Sequence, residues 1–300
     1  MRVGIAGFGH IGRAHHAGFA RLPGVEVTVV ASHHDGPEGA EVVPDAYDLV
    51  TDDRVDAVVI ALPTPDHVPL AVACLRAGKP VLVEKPVALS VAAASELVAA
   101  AQATGVVAQM AHVVRHMAQP RLVHDLLGEG RSGRPIDVTI ERLSTMPRWS
   151  SWLGDLDRSG GVLFDLMIHD LDFCRWTFGE PQGLRALDRG THARVDLDYG
   201  DFTATLTASW AMPADYPFTW TLRAVSAGAA VEATPGRTRG YGDVATTVEH
   251  GPDDPFRTQA AAFVEAVRRG APSEGLGVAE GLAAVALAEA AHAAAHEDQR

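Results

Sequence analysis

The sequence is poor in basic residues and in cysteine. Lys and Arg number 25 against 38 Asp and Glu, which gives a formal net charge of −13. No basic stripe runs along the chain, so a nucleic-acid partner is not expected, because phosphate recognition needs clustered positive charge. The two cysteines, Cys74 and Cys174, are too few for a disulfide framework. Both lie in apolar helical patterns, which predicts buried, reduced thiols.

Long apolar runs are also missing. No run of 18 or more apolar residues is free of polar breaks, which argues against a transmembrane helix and a membrane partner. The apolar residues at the start of the chain are few and lead straight into a glycine loop. We interpret them as a first strand and not as a signal peptide, and we expect a cytoplasmic protein. The 14 histidines are scattered without the spacing of a zinc site, so no metal is expected.

The first 110 or so residues alternate continuous apolar strands with helices. This pattern is typical of a parallel sheet that is covered on both faces. Strands are predicted at 2–6, 25–31, 55–62, 80–84 and 106–111, and helices at 11–22, 66–77 and 91–104.

After about residue 118 the strands follow one another with short turns, such as 199–201, which predicts a mostly antiparallel sheet. We therefore predict an α/β fold with a Rossmann parallel sheet in residues 1–118 and an α+β domain in residues 119–300. The predicted strands of the second part are 135–145, 184–189, 193–197, 202–210, 219–226, 229–233 and 244–249, and its helices are 160–178, 255–269 and 277–296.

A glycine-rich loop follows the first predicted strand. It is Gly7-Phe8-Gly9-His10-Ile11-Gly12, the spacing G-x-G-x-x-G between a strand and a helix. The first glycine makes the tight turn, the second lets a pyrophosphate approach the backbone, and the third allows close packing of helix on strand. The free N–H groups of the helix then face the phosphates. The loop predicts a dinucleotide-binding site.

The end of the second strand bears on which dinucleotide binds. An acidic residue about 20 positions after the glycines usually holds the adenosine ribose of NAD, and Ser32 stands there. A serine does not repel a 2′-phosphate, and His33 and Arg13 could pair with one. This favours NADP, although Asp35 is close by and NAD stays open.

Two further loops leave strands at the edge where ligands bind in open α/β sheets. Leu62-Pro63-Thr64-Pro65-Asp66-His67 follows one strand, and Glu84-Lys85-Pro86 ends the next. A lysine at that edge is either a surface residue or a functional one. A cis bond before Pro86 is plausible.

A third segment places ionisable residues in an apolar helical pattern. Asp165 and His169 are at i and i+4, so a regular α-helix would set them on one face, with Asp172 nearby. Such groups inside an apolar helix are paired or functional. The alternatives are a polar stripe with an internal Asp–His hydrogen bond, or a mononuclear metal site, which lacks a second histidine at useful spacing.

These segments together resemble the Gfo/Idh/MocA family (glucose-fructose oxidoreductase, inositol dehydrogenase and rhizopine catabolism proteins). The resemblance rests on three motifs in the family's order: Gly7–Gly12, Glu84-Lys85-Pro86, and the run from Gly160-Gly161 through Asp165 and His169 to Asp172. The segment 111–115 also resembles the one that closes the family's nucleotide domain. The resemblance covers nearly the whole chain.

The resemblance implies a dinucleotide-binding Rossmann domain and a C-terminal domain with a large, mostly antiparallel open sheet, which binds substrate and forms dimers or tetramers. It also implies that Lys85, Asp165 and His169 meet beside the nicotinamide. The candidate cofactor contacts are Gly7, Phe8, Gly9, His10, Ile11, Gly12, Arg13, Ser32, His33, Leu62, Pro63, Thr64, His67, Glu84 and Lys85.

The expected function is hydride transfer between nicotinamide C4 and a hydroxyl or carbonyl carbon of a sugar, cyclitol or related small molecule. His169 is the expected acid/base, because an unperturbed imidazole titrates at about pH 6.5. The tryptophans of the segment 148–152 could stack on a sugar ring or be core aromatics, and Arg115 could line the cleft. The candidate substrate contacts are Lys85, His112, Trp149, Trp152, Asp165 and His169.

Three other functions stay open. The first is reduction of another carbonyl or an imine in a biosynthetic pathway. The second is a nucleotide-sensing regulator without catalysis, against which the intact Lys85, Asp165 and His169 argue. The third is redox-neutral use of bound NAD, as in some glycosidases that resemble this family.

Overall fold

Two β-sheets organise the chain. The computed structural model describes residues 1–128, 132–148 and 150–297, and in these ranges it contains a six-stranded sheet and an eight-stranded sheet. The six-stranded sheet is parallel throughout, and the eight-stranded sheet is antiparallel except for one strand pair. The predicted fold class is confirmed.

The parallel sheet has the strand order β3-β2-β1-β4-β5-β6. Its strands are β1 Arg2–Ala6, β2 Glu26–Ala31, β3 Glu41–Val43, β4 Ala57–Ile60, β5 Val81–Glu84 and β6 Ala108–Ala111, and its helices are α1 His10–Phe19, α2 Asp48–Thr51, α3 His67–Arg76 and α4 Val91–Thr104. The sequence pattern misses β3 and α2, because three or four residues are too few to establish a period. Every residue of β4, β5 and β6 is buried, as expected for a sheet that is covered on both faces.

The second sheet has the order β14-β13-β12-β11-β7-β10-β9-β8. Its strands are β7 Pro135–Leu143, β8 Gly183–Asp188, β9 His192–Asp198, β10 Thr203–Ser209, β11 Thr219–Ser226, β12 Ala229–Thr234, β13 Arg237–Gly242 and β14 Thr246–Glu249. The predicted turn at Gly200 joins the antiparallel hairpin β9–β10, whereas β7 and β10 run parallel. The remaining helices are α5 Ala118–Gly128, α6 Leu156–Ser159, α7 Ile168–Phe178, α8 Pro255–Arg269 and α9 Val278–Glu297.

The chain forms two compact units. The first contains residues 1–116 and 254–285, and the second contains 117–253 and the residues from 286 onward. Helix α8 joins the first unit because Phe263 packs edge-on against Phe19 of α1, with ring centroids 6.4 Å apart. A β-bridge between Gln109 and Gly277 adds the segment before α9 to the edge strand β6. The domain division at residue 118 stays a prediction, and the structure places 254–285 with the Rossmann sheet.

One helix, α9, is long and apolar enough to cross a membrane by length and composition alone. Its most apolar window has a mean hydropathy of 1.3. No other helix of the described residues passes this test. Most of its apolar content is alanine, and Ala284, Val285, Ala288 and Ala291 are fully buried within the protein. A packed core helix meets the same criterion, so the feature is weak support for a membrane span.

Both cysteines are buried and unbonded, as predicted. Burial raises the pKa of the Cys74 thiol to about 12, which the nearby Lys79 opposes only in part. Burial also raises the pKa of Cys174, and the charges of Asp170 and Asp172 raise it further. Neither thiol is a nucleophile at neutral pH, since the reactive form is the thiolate.

Candidate active site

Three glycines shape the loop after β1, each for a different reason. A side chain at Gly7 (φ +90°) would place its Cβ 2.5 Å from the carbonyl oxygen of Ala61, and one at Gly12 would collide with the carbonyl of Gly7. At Gly9 no atom lies within 4 Å of the position that a Cβ would take. Gly9 is also the N-cap of α1 and gives that helix no side-chain cap. The loop therefore offers open space and free helix N–H groups, which fit the pyrophosphate of a dinucleotide.

The other residues of the loop divide into buried and exposed ones. Phe8 is buried in the core of the first unit, so only its backbone is left for a ligand. The guanidinium of Arg13 lies 4.8 Å from the centre of the Phe8 ring and is exposed at the first turn of α1. His10 is exposed, and Ile11 is half-buried.

The end of β2 carries the residues expected at the adenosine ribose. The amide of Ser32 donates to the Val43 carbonyl at 3.0 Å, and its Oγ accepts from the His34 amide at 3.0 Å. His33 is exposed beside it. The first acidic side chain after β2 is Asp35, also exposed. The Ser32 position thus carries no negative charge.

Glu84 and Lys85 end strand β5. The Lys85–Pro86 bond is cis, as suggested from the sequence. Oε1 of Glu84 lies 2.7 Å from Nε2 of His15, a fully buried residue of α1, and Oε2 accepts the Lys85 amide at 3.1 Å. Burial alone would raise the pKa of Glu84. The hydrogen bond from His15 and the positive charge of Lys85 outweigh it and hold that pKa below its ordinary value.

His67 joins the two loops at this edge of the sheet. Its Nδ1 lies 2.9 Å from the carbonyl oxygen of Pro86, and its Nε2 lies 2.7 Å from that of Leu62. Burial lowers the pKa of His67, although both carbonyls and Glu84 act in the opposite direction. Thr64 is buried as well. The contacts of Leu62, Pro63, Thr64 and His67 with a cofactor stay predictions, and the His67 ring is engaged with the protein backbone.

Two glycines with positive φ precede the predicted catalytic helix. Gly160 and Gly161 have φ of +71° and +67°, and a Cβ on Gly161 would lie 2.6 Å from the Gly190 carbonyl oxygen. Oγ of the fully buried Ser159 accepts the Gly161 amide at 3.1 Å and donates to the Leu153 carbonyl at 3.0 Å. The double glycine is needed because the chain turns in the left-handed region at close range to another backbone.

The predicted helix over 160–178 is present, but it is not a regular α-helix throughout. Leu163–Met167 is a π-helix and α7 begins at Ile168, so Asp165 and His169 are not related by one regular α-helical turn. π-helical turns arise as an extra residue in a helix and are frequent at functional sites. The sequence pattern could not reveal this, because nearly every residue of the segment is buried and the apolar pattern has no clear phase for an inserted residue to shift.

Burial singles out two side chains of this segment. Within residues 161–174, all of which the structure describes, every residue is buried except Asp165 and His169, which are partly exposed. Nδ1 of His169 is itself buried. The two predicted catalytic residues of this segment are therefore the ones that a ligand can reach, and the acids at 170 and 172 are buried.

Asp170 is held by a buried ion pair. Its two carboxylate oxygens accept from Nε and Nη2 of Arg142 in β7, at 2.9 and 2.7 Å. Nε1 of Trp220 in β11 donates to the same carboxylate at 3.1 Å. Both partners of the ion pair are at least 94% buried in their side chains. This cluster fixes the residue next to His169 to the sheet.

The remaining candidates are spread over both units. His112 is buried at the end of β6, and Trp152 is partly exposed in the 3-10 helix Ser151–Gly154. Trp149 lies outside the described residues. Arg115 is buried, with Nη1 donating to the Gly275 carbonyl at 2.7 Å, so it supports the segment before α9. Among the residues that the structure describes, no group of three His, Cys, Asp or Glu side chains could hold a metal ion.

Sequence reasoning missed two residues that support the site. His15 lies on a helix whose histidines look like surface residues, and Arg142 lies in a strand where an arginine is usually exposed. Both partners are distant in sequence, 69 residues for His15 and 28 for Arg142. One signal was available for Arg142. In the alternating pattern of β7 it falls on the same buried face as Ile140, where a charged residue is unusual.

Comparison with known proteins assigns the chain to a family. Residues 1–112 match the model described as the oxidoreductase family, NAD-binding Rossmann fold. Residues 121–228 match the GFO/IDH/MocA C-terminal domain. The chain belongs to the Gfo/Idh/MocA oxidoreductase family, as its motifs predict.

Individual relatives agree with this assignment. Inositol 2-dehydrogenase of Rubrobacter xylanophilus is 34% identical over 194 residues, which are 60% of this chain and 53% of that protein. Trans-1,2-dihydrobenzene-1,2-diol dehydrogenase of Mus musculus is 30% identical over 70% of this chain and 69% of that protein. The solved structure of GenD2 from gentamicin A biosynthesis, in complex with NAD, has a TM-score of 0.85 and 25% identity over 100% of this chain and 95% of that one. In sequence, the chain spans about half the length of the inositol dehydrogenase.

Proposed function

We propose that the protein is an NAD(P)-dependent oxidoreductase that transfers a hydride between nicotinamide C4 and a hydroxyl or carbonyl carbon of a cyclitol, a sugar or a related polyol. The observation that carries the proposal is the selective exposure of Asp165 and His169 in an otherwise buried stretch. An exposed acid/base pair on a buried support is what proton transfer to a ligand requires. The inositol 2-dehydrogenase relative supports the substrate class.

The cofactor would be held by backbone groups of the loop from Gly7 to Gly12, with its pyrophosphate at the open space beside Gly9. Bound nicotinamide supplies the capacity to accept or donate a hydride. The protein supplies orientation and proton transfer.

In the oxidative direction the substrate hydroxyl must lose a proton. We assign this proton to Nε2 of His169, because Nδ1 of the same ring is buried. Nζ of Lys85 would donate a hydrogen bond to the reacting oxygen and favour its anionic form. Asp165 would accept a hydrogen bond from a neighbouring substrate hydroxyl or from the catalytic groups. In reduction the same groups return the proton to the oxygen.

The test is a substrate screen that follows nicotinamide absorbance, with NAD(H) and NADP(H) in parallel and with inositols, aldoses and polyols as substrates. We expect Lys85→Ala and His169→Ala each to lower kcat by about 100-fold or more, the usual contribution of an acid/base group. His192→Ala, a partly exposed histidine of β9, is the matched control and should leave kcat unchanged. Near-normal kcat in both site variants would overturn the assignment.

We further propose that NADP is the preferred dinucleotide. The uncharged Ser32 and the exposed His33 and Arg13 support this preference. Ser32→Asp should weaken NADPH binding by about tenfold or more, because a carboxylate next to a phosphate costs over 1 kcal/mol at short range. NADH binding should change little. A wild-type protein that binds NADH more tightly than NADPH would contradict the proposal.

We also propose that the chain forms a dimer or tetramer through the second sheet. One face of β7 is buried, at Val138 and Ile140. The opposite face, with Thr139 and Glu141, is at least partly exposed and is the face that a second copy would cover. Light scattering after size exclusion tests the state, and a monomer at micromolar concentration would contradict it.

A further inference from the structure

A buried chain of hydrogen bonds connects the phosphate-loop helix to Lys85. His15 in α1 donates from Nε2 to Oε1 of Glu84 at 2.7 Å, and Oε2 of Glu84 accepts the Lys85 amide at 3.1 Å. His15 is fully buried, and Glu84 is 7% exposed. The carboxylate thus links two backbone elements, the first helix and the end of β5. Burying a carboxylate lowers stability unless its oxygens accept hydrogen bonds. The loss of either contact of Glu84 is therefore expected to weaken the position of its carboxylate and so the other contact.

The surroundings of His15 define which ring nitrogen carries the proton. Nδ1 is buried and makes no hydrogen bond within the described residues. The ring lies edge-on to Phe256, with centroids 5.2 Å apart and planes at 88°. A doubly protonated ring would bury an N–H group without an acceptor, whereas a ring protonated only at Nε2 matches the carboxylate, which can only accept. Nε2 of His15 is therefore the nitrogen that donates to Glu84.

The backbone around Lys85 is held on its other side too. The carbonyl of Pro86 lies 2.9 Å from Nδ1 of His67, whose Nε2 lies 2.7 Å from the Leu62 carbonyl. A neutral His67 ring donates to one of these two carbonyls, and its position against Pro86 packs a side chain on the residue after Lys85. Removing the His15 contact would release the Glu84 carboxylate and with it the Lys85 amide.

We propose that His15 is a positioning residue for Lys85, acting through Glu84 to fix the backbone from which the lysine side chain reaches the reacting oxygen. This inference rests on the proposed function, in which Lys85 acts on that oxygen. Small displacements of a catalytic group are expensive, since a shift of about 1 Å can cost about 100-fold in rate. His15 also belongs to the helix that begins at the phosphate loop, so the same bond ties the lysine to the cofactor-binding element.

The experiment compares His15→Leu, which removes the donor at similar bulk, with His15→Gln, whose amide nitrogen reaches about as far as Nε2. We expect His15→Leu to lower kcat about tenfold or more and His15→Gln to recover most of that loss, because positioning needs only the donor. The dissociation constant of NADPH, from fluorescence titration, should change by less than about threefold in both, since no His15 atom is assigned to the cofactor. Equal losses in the two variants would indicate a packing role and overturn the proposal.

A double variant tests whether His15 acts through Lys85. Combining His15→Leu with Lys85→Ala should give no further loss of kcat beyond Lys85→Ala alone, because residues that act as a unit are not additive. A full additional loss would show that His15 acts elsewhere. If Lys85→Ala itself leaves kcat normal, the role that the proposed function gives to Lys85 fails. If Lys85→Ala lowers kcat and His15→Leu does not, the present inference fails by itself.

Two measurements do not depend on turnover. Amide hydrogen exchange of Lys85 should be about tenfold or more faster in His15→Leu than in the wild type or in His15→Gln, because its acceptor is no longer fixed. In the wild type, ¹⁵N imidazole NMR should show a proton on Nε2 of His15, the nitrogen that faces Glu84. Unchanged exchange in folded His15→Leu, or an Nε2 without a proton in the wild type, would overturn the proposal, and the second result needs no variant.

Discussion

The ion pair between Arg142 and Asp170 offers a direct test of what holds the segment with Asp165 and His169 against the second sheet. Replacing Arg142 with Met removes two charge-assisted hydrogen bonds and leaves the Asp170 carboxylate buried, with only the Trp220 indole described as donating to it. Breaking a buried pair by removing one partner costs about 3–5 kcal/mol, because the remaining charge has lost its compensation. Met conserves most of the apolar stem, so little of this loss comes from packing.

The expected loss converts into a shift of the melting temperature. Unfolding entropy is about 2.1 cal/mol/K per residue, so for a chain of 300 residues that unfolds as one unit, a loss of about 3–5 kcal/mol lowers Tm by about 5–8 °C. If the second unit unfolds separately, the same energy produces a larger shift. Differential scanning calorimetry measures the shift directly. We also expect kcat to fall, because Asp170 is the neighbour of His169.

The matched control is the double replacement Arg142→Met with Asp170→Leu. It removes both charges, so no uncompensated carboxylate remains, and buried ion pairs can often be exchanged for apolar residues at little cost. The indole N–H of Trp220 then loses its carboxylate acceptor, which costs about 1–3 kcal/mol. The double variant should therefore be more stable than Arg142→Met alone. A single variant with an unchanged Tm, or a double variant that is less stable than the single one, would refute the reasoning.

Three further predictions concern the glycines and the buried histidine. Gly161→Ala should lower the free energy of unfolding by about 1–3 kcal/mol in a denaturant titration, because φ is +67° and the new Cβ would approach the Gly190 carbonyl at 2.6 Å; Gly154→Ala, with open space around it, should not. Gly9→Ala should leave Tm unchanged and weaken NADPH binding about tenfold or more in a fluorescence titration, because its Cβ fills the phosphate cradle; unchanged binding would place the phosphates elsewhere. The pKa of His67 is lowered by burial from 6.5, so the unfolded chain binds a proton that the folded chain does not. This contribution to stability is present above pH 6.5 and is lost as the pH falls towards the folded-state pKa, and His67→Gln should flatten the corresponding slope of the denaturation midpoint against pH.

The strand–helix alternation of the first unit was predictable because each element is long enough to show its period. The helix 91–104 and the strand 219–226 occur with the predicted bounds. The first begins at Ser90, whose Oγ accepts the Ala93 amide, and ends at Gly105 with φ +67°, so local chemistry marks both ends. The strand β13 was missed because Arg237–Gly242 carries two glycines and two arginines and has no strong apolar alternation.

The association of 254–285 with the first unit could not be derived from periodicity. Helix α8 is amphipathic, which shows that it packs on something but not on which sheet. Helix α8 packs on α1, and the two helices come close because Gly18 of α1 has no side chain. A Cβ there would lie 2.7 Å from the carbonyl oxygen of Phe256 in α8. Such a close helix contact is a property of two distant segments together. The order of segments along the sequence alone therefore predicts α8 in the second domain, with the strands that precede it.

Periodicity also does not separate the three acids at 165, 170 and 172. Asp165, Asp170 and Asp172 look alike in the sequence, and the pattern gives each an apolar neighbourhood. The structure distinguishes them by burial: Asp170 and Asp172 are buried, Asp170 against an arginine of β7, whereas Asp165 is partly exposed within the π-helix. A carboxylate that is fully paired inside the protein is a poor acid/base because its charge already stabilises another charge, and one that a ligand can reach is available for chemistry. The family motif already predicts Asp165 as the substrate-facing acid, and the structure adds that the charge of the neighbouring Asp170 is compensated by Arg142, a residue that no catalytic motif contains.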